Sequence, residues 1–287
     1  SQRRFNSNMH EKNKKNGIIG STFLTFLCIF WIMPVFIVLW NSFKNKNSIN
    51  LQPFQLPSNE TFVGWENYGA AIGKYGLLQS VGWTVFITVF SVAAILLFCS
   101  MCGWFITRVK TWWTKMIYVL CLFSMVVPFQ MVMYTLSLVA NMLHLTNPFG
   151  IIIVYLGFGA GLAIFMFTGF VRSIPIEIEE AAMIDGCTPL QTFFRIVVPI
   201  MKPTYISVGI LETMWIWNDF LLPSLVLDLK KYKTISIIIQ YMKGSYGSVD
   251  MGAIMAALIL ALIPVVIFYL SCQKYIIKGV AAGAVKG

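Results

Sequence analysis

From Met116 to Val171 the chain carries no Asp, Glu, Lys or Arg. A run this long and apolar has no stable place in water. A bilayer core about 30 Å thick is crossed by roughly 20 apolar residues in a helix, so this one stretch has length for two crossings. Asn16 to Phe43, Tyr75 to Thr107 and Met251 to Gln273 are charge-free in the same way. Only 11% of the 287 residues are charged, against about 25% in a soluble domain. The sequence therefore specifies an all-α integral membrane protein and not a chain built around one large aqueous core.

Six spans are predicted, at residues 17–40, 77–106, 117–139, 149–171, 203–227 and 251–273. The third and fourth are divided by "HLTNPFG", His144 to Gly150, which carries Asn-Pro and Gly turn signals. Pro34, Pro128 and Pro264 fall inside spans, and each is expected to kink its helix. An even number of spans puts both termini on one side. That side holds fourteen of the 21 Lys and Arg, which places it in the cytoplasm. Lys230, Lys231, Lys233 and Lys243, between spans five and six, run against the trend. The expected division is a basic arm at 1–16, a first span with outer loop at 17–76, a core at 77–273 and a cytoplasmic tail at 274–287.

Several function classes drop out. The net charge of +10 comes from residues that flank spans, not from one basic face, so the lipid bilayer is the expected partner and nucleic acid is not. No cleaved leader is expected, because the first span exceeds a signal-peptide core and lacks a small-residue cleavage site. Five of the six cysteines lie in spans, so no disulfide framework is indicated. "CSMC", Cys99 to Cys102, has C-x-x-C spacing without a nearby His or carboxylate and reads as packing. His10 and His144 are isolated, so neither a metal site nor a catalytic residue is expected. The Gly73-Lys74 pair lacks the other glycine of a phosphate-binding loop, so no nucleotide-hydrolysing site is indicated, and no cofactor is expected on this chain.

One polar segment interrupts the apolar pattern, within residues 173–202. "SIPIEIEEAAMID" places acids in what would be a first helical turn, where the helix dipole favours them. Asp185-Gly186 supplies a stop. Thr188, Pro189 and Gln191 then form a capping-box pattern for a second helix, predicted from Pro189 to Val197 and ending before Pro199. Glu177, Glu180 and Ile184 share one strip of the first helix; Ile178, Ala181 and Asp185 share another. Small residues with a carboxylate rim suit docking into a groove on a partner. A cap helix that only seals the bundle is the other reading.

"EEAAMIDG", nine residues, then "IVVP" resembles the Glu-Ala-Ala loop of bacterial ABC importer permeases, a pattern of Glu-Ala-Ala, three residues, Gly, nine residues and Ile-x-Leu-Pro. The match falls at Glu180, Ala181, Ala182, Gly186, Ile196 and Pro199, with Val198 in place of Leu. "TFVGWENYGAAI", "WIWNDF" and "QKYIIKGVAAGAVKG" extend the resemblance to the smaller, six-span permease of maltose-type transporters. "CSMCGWFITR" departs from the family's usual small-Tyr-Ala run, and residues 1–16 are not covered.

The resemblance implies a six-helix type I permease in a bacterial cell membrane. It would import a sugar, an oligosaccharide by preference, as one half of a permease heterodimer. ATP and Mg would bind a partner ATPase dimer, coupled through Glu180, Ala181, Ala182, Asp185, Gly186, Ile196 and Pro199. An extracellular solute-binding protein would touch Gly244, Ser245, Tyr246 and Gly247; a plain connector is the alternative there. In span five, Glu212, Trp215 and Asp219 are spaced i, i+3, i+7. A charge at mid-membrane costs about 2.5–3.5 kcal/mol, so this stripe faces a wet path or an interior hydrogen-bond network. With Asn218 of "WIWNDF" it forms the expected translocation pathway. A non-sugar solute would use the same docking loop. A secondary transporter would need its own ion site and usually a repeat, and no clear repeat is present.

Overall fold

A computed structural model describes the backbone of residues 2–243 and 249–284. The helices, in chain order, are α1 (Gln2–Asn41), α2 (Lys46–Leu51), α3 (Glu66–Gly69), α4 (Leu77–Arg108), α5 (Trp112–Val126), α6 (Phe129–Met142), α7 (Pro148–Val171), α8 (Ile176–Ile184), α9 (Pro189–Thr192), α10 (Val198–Ile200), α11 (Lys202–Asn218), α12 (Leu221–Val226), α13 (Ile235–Tyr241) and α14 (Met251–Ala284). Among the described residues there is no strand, only an isolated bridge between Lys44 and Phe62. The all-α expectation holds.

Among the described residues, four helices are long and apolar enough to cross a membrane alone: Gly20–Asn41, Leu77–Arg108, Pro148–Val171 and Met251–Tyr275. The remaining two spans are not continuous, which corrects the sequence reading. Span three is α5 and α6, bent by 109° at Val127 and Pro128. Pro128 lacks an amide hydrogen and holds Val127 extended (φ −70°, ψ 118°), so the ladder stops there. Pro34 and Pro264 stay inside unbroken helices. Span five ends at Asn218, not residue 227, and a new helix starts at Leu221. Preceding it, Pro189–Ile200 is bent by 78° against α11.

The chain divides into two compact units, Ser1–Tyr75 with Met242–Leu260 and Gly76–Tyr241 with Ala261–Gly287. The outer loop after α1 builds the first. Phe43, Trp65 and Tyr68 bring their rings within 5.1–5.4 Å of one another. The Tyr68 hydroxyl lies 2.7 Å from Ser42 Oγ, and Asn67 Nδ2 donates to the carbonyls of Ser42 (2.8 Å) and Lys44 (2.9 Å). A side chain at Gly252 would collide with Asn67. Asn67 and Tyr68 of "ENY" thus tie this loop, Asn67 satisfying two backbone carbonyls and Tyr68 the Ser42 hydroxyl.

In the second unit α4 packs along α7, and α5 lies against α7. A Cβ at Gly103 of α4 would stand 2.9 Å from Phe167, and one at Gly161 of α7 would stand 2.9 Å from the Cys121 carbonyl. Small residues allow this approach, and packing of this kind replaces the hydrophobic effect between helices in lipid. Ile95, Cys99, Tyr155, Phe167, Val208 and Ile216 form the centre of the core. The predicted turn between spans three and four is present. Asn147 accepts from the amides of Phe149 and Gly150, both at 3.0 Å, and Pro148 opens α7.

Candidate functional site

Residues 173–202 fold as two short helices joined at glycine. The C-terminus of α8 closes in a Schellman motif: the Cys187 amide donates to the Ala182 carbonyl and the Gly186 amide to the Met183 carbonyl, both at 3.0 Å. Gly186 supplies the left-handed residue this needs, at φ 89°. Thr188 and Gln191 make the predicted capping box, with bonds of 3.3 and 2.9 Å. The second helix does not stop before Pro199. It widens to a π turn at Phe193–Val197 and runs on as α10 to Ile200, with Pro199 inside it. A π turn shifts the hydrogen-bond partners by one residue, which accommodates the amide that proline lacks.

Glu177, Glu180, Ala181, Asp185, Gly186 and Pro199 are exposed; Ala182 is buried against the segment itself and Ile196 is half-buried. Apolar side chains share the exposed surface. Ile184 is 86% exposed and Leu190 58%, so the segment presents apolar as well as acidic groups.

The spacing argument missed Glu179. It is the buried acid of α8, and it holds the segment to the end of α4. Arg108 Nε and Nη2 donate to Oε1 at 2.9 and 2.7 Å, and Trp104 Nε1 donates to Oε2 at 2.9 Å. Arg108 Nη2 also donates to the Ile174 carbonyl at 2.9 Å. The Trp104 ring lies 5.2 Å from Phe193. The one sequence signal was a third glutamate on the strip opposite the exposed acids, with an Arg closing span two.

The span-five residues separate in environment. Glu212, Trp215 and Asp219 line one cavity of about 400 Å³, with Ser124, Phe158 and Gly159 on its other walls. Asn218 is not in this lining; its Nδ2 donates back to the Met214 carbonyl at 2.7 Å. Asp219 lies past the end of α11 and caps α12, accepting from the Leu221 amide at 2.9 Å, while Tyr155 donates its hydroxyl to Oδ2 at 3.1 Å. Tyr155 also meets Trp215 edge-on at 5.5 Å. Glu212 is buried, and its Oε2 has no hydrogen-bond partner among the described residues. A Cβ at Gly159 would stand 3.0 Å from that oxygen. Asp219 is therefore engaged in an interior network, whereas Glu212 is held against a glycine with its acceptor capacity unused.

Gly244, Ser245, Tyr246 and Gly247 lie outside the described residues. Among the described residues, no three or more His, Cys, Asp or Glu are grouped as a metal site would require.

Residues 99–282 match the family described as the binding-protein-dependent transport system inner membrane component. The chain belongs to this family. The permease is 37% identical to the probable starch degradation products transport system permease protein AmyC of Thermoanaerobacterium thermosulfurigenes, over 91% of this chain and 93% of the relative. It is 31% identical to the multiple sugar-binding transport system permease protein MsmG of Streptococcus mutans, over 97% and 100%. In fold it is similar to a chain of a bacterial ABC transporter involved in the import of the acidic polysaccharide alginate, with TM-score 0.75, 23% identity and 92% and 97% coverage. The matched region of the permease includes both the α8–α10 segment and the cavity at Glu212.

Proposed function

We propose that this permease is the smaller membrane subunit of an importer that carries an oligosaccharide into a bacterial cell. It sits in the cytoplasmic membrane with both termini inside, beside a second permease, and receives sugar from an extracellular binding protein. ATP and Mg are bound by a partner ATPase dimer. The family match carries this function, and the sugar class follows from the named relatives.

The α8–α10 segment docks on the ATPase through Glu180, Ala181, Asp185, Ile184 and Leu190, the groups it leaves exposed. Closure of the ATPase dimer then rocks the two permeases against each other and alternates access. In the cavity, the Glu212 carboxylate accepts sugar hydroxyls and the Trp215 indole offers a flat apolar face to sugar C–H groups. Gly244 to Gly247 meet the binding protein, and Asn218 with Asp219 shapes the outer end of α11.

The direct test is uptake of labelled oligosaccharides by cells lacking this chain and complemented with it. Uptake that depends on the binding protein and on a copurifying ATPase is expected; uptake independent of both would overturn the proposal. Within that assay, Glu212→Gln and Trp215→Ala should each raise the half-saturating sugar concentration about tenfold, the equivalent of roughly 1.4 kcal/mol. Unchanged uptake by both variants would remove the cavity from the pathway while leaving the importer assignment intact.

A further inference from the structure

A second cavity, of about 390 Å³, lies where the ends of α4 and α7 meet the start of α5. Arg108, Lys110, Thr114, Lys115, Tyr118 and Arg172 line it, and no carboxylate does. Arg108 is already committed to Glu179. Lys110, Lys115 and Arg172 have no carboxylate within ion-pair distance among the described residues. The Arg172 guanidinium lies over the Tyr118 ring at 5.4 Å, which orients it. Three cations around one concavity without a carboxylate among them repel each other, and an anion that enters relieves the repulsion.

The surroundings indicate the depth at which the anion lies. Trp112 and Trp113 begin α5 beside the cavity, 65% and 62% exposed, with ring centroids 4.5 Å apart. Exposed tryptophans next to a hydrophobic span sit at the headgroup level of a bilayer. Beyond Lys115 the rest of α5, Met116 to Val126, is uncharged. A basic pocket between helix ends at this depth meets lipid headgroups first. Its volume falls within the roughly 300–1,000 Å³ usual for small-molecule sites.

We propose that this pocket binds the phosphate of an anionic phospholipid. Lys110, Lys115 and Arg172 neutralise the phosphate, and Trp112 and Trp113 flank the glycerol. The pocket shares Arg108 with the α8 anchor, so it lies on the same side of the membrane as the coupling segment. That the lipid comes from the cytoplasmic leaflet rests on the function proposed above; binding itself does not.

The test uses the whole importer in nanodiscs of phosphatidylcholine and phosphatidylglycerol in equal parts, followed by native mass spectrometry of retained lipid. Retained phosphatidylglycerol is expected to fall at least tenfold in Lys115→Gln/Arg172→Gln, with phosphatidylcholine retention unchanged. Lys115 is exposed, so Lys115→Gln alone should fold and show a partial loss that Lys115→Arg restores. Equal retention in wild type and double variant, or no restoration by Lys115→Arg, overturns the proposal. So does inorganic phosphate that displaces the lipid from wild type, since the site would then recognise a free anion. A failed uptake assay with normal lipid retention would count against the importer assignment alone.

Discussion

Glu179→Ala should destabilise the assembled permease by about 3–5 kcal/mol, the usual cost of leaving one partner of a buried ion pair alone. Glu179 is 4% exposed at its side chain and Arg108 17%, so solvent replaces the lost partner only in part. The loss reaches beyond the pair. Trp104 Nε1 would also lose its acceptor, and the Arg108 fork that fixes the Ile174 carbonyl would lose its anchor. The α8–α10 segment would then rest on the packing of its buried apolar residues, Ala182, Phe193 and Val197. Thermal unfolding of the purified complex should show the shift, and amide exchange should rise first in α8. The double variant Arg108→Met/Glu179→Leu should be less destabilised than Glu179→Ala, because it leaves no unpaired charge. A Glu179→Ala complex within about 0.5 kcal/mol of wild type, the range of ordinary surface changes, would show that the ion pair does not hold the segment.

The parts of the fold that are punctuated locally were legible in the sequence. Charge-free runs marked the spans, Asn147-Pro148 marked the start of α7, and Thr188-Pro189 with Gln191 marked a cap whose bonds the structure makes. The features that depend on distant partners were not. Pro128 breaks its span and Pro34 does not, although both sit in apolar helical pattern. The span that holds Pro34 is exposed, so packing does not explain the difference, and no residue beside either proline records it. Glu179 pairs with Arg108 across 71 positions of chain; periodicity puts it on a strip but cannot supply the partner. Asp219 was extrapolated along a helix that had already ended. Its residue type held the missing signal, since Asp two residues before an apolar turn is a helix cap as readily as a pathway carboxylate. In the stripe of Glu212, Trp215 and Asp219, spacing found the shared cavity and could not tell the engaged acid from the unengaged one.

Gly186→Val should leave the permease folded and inserted but reduce sugar-stimulated ATPase activity of the complex to its basal level. The reason is conformational and not steric. Gly186 is at φ 89°, and a Cβ built on it meets nothing within 4 Å. A side chain thus has room, but a non-glycine residue in this backbone region costs about 1–2 kcal/mol, and a β-branched one suffers most. The cheapest escape is to unwind the Schellman turn, which frees the carbonyls of Ala182 and Met183 and re-aims α9 against α8. The exposed Ile184 and Leu190, on either side of that turn, would no longer present one surface. Gly186→Asn provides the control, because asparagine tolerates the left-handed region; it should keep most of the coupling. Stimulated ATPase that is normal in Gly186→Val would show that the turn's geometry does not transmit motion. Equal loss in the Asn and Val variants would assign the effect to bulk at a buried interface and place the docked ATPase directly over Gly186.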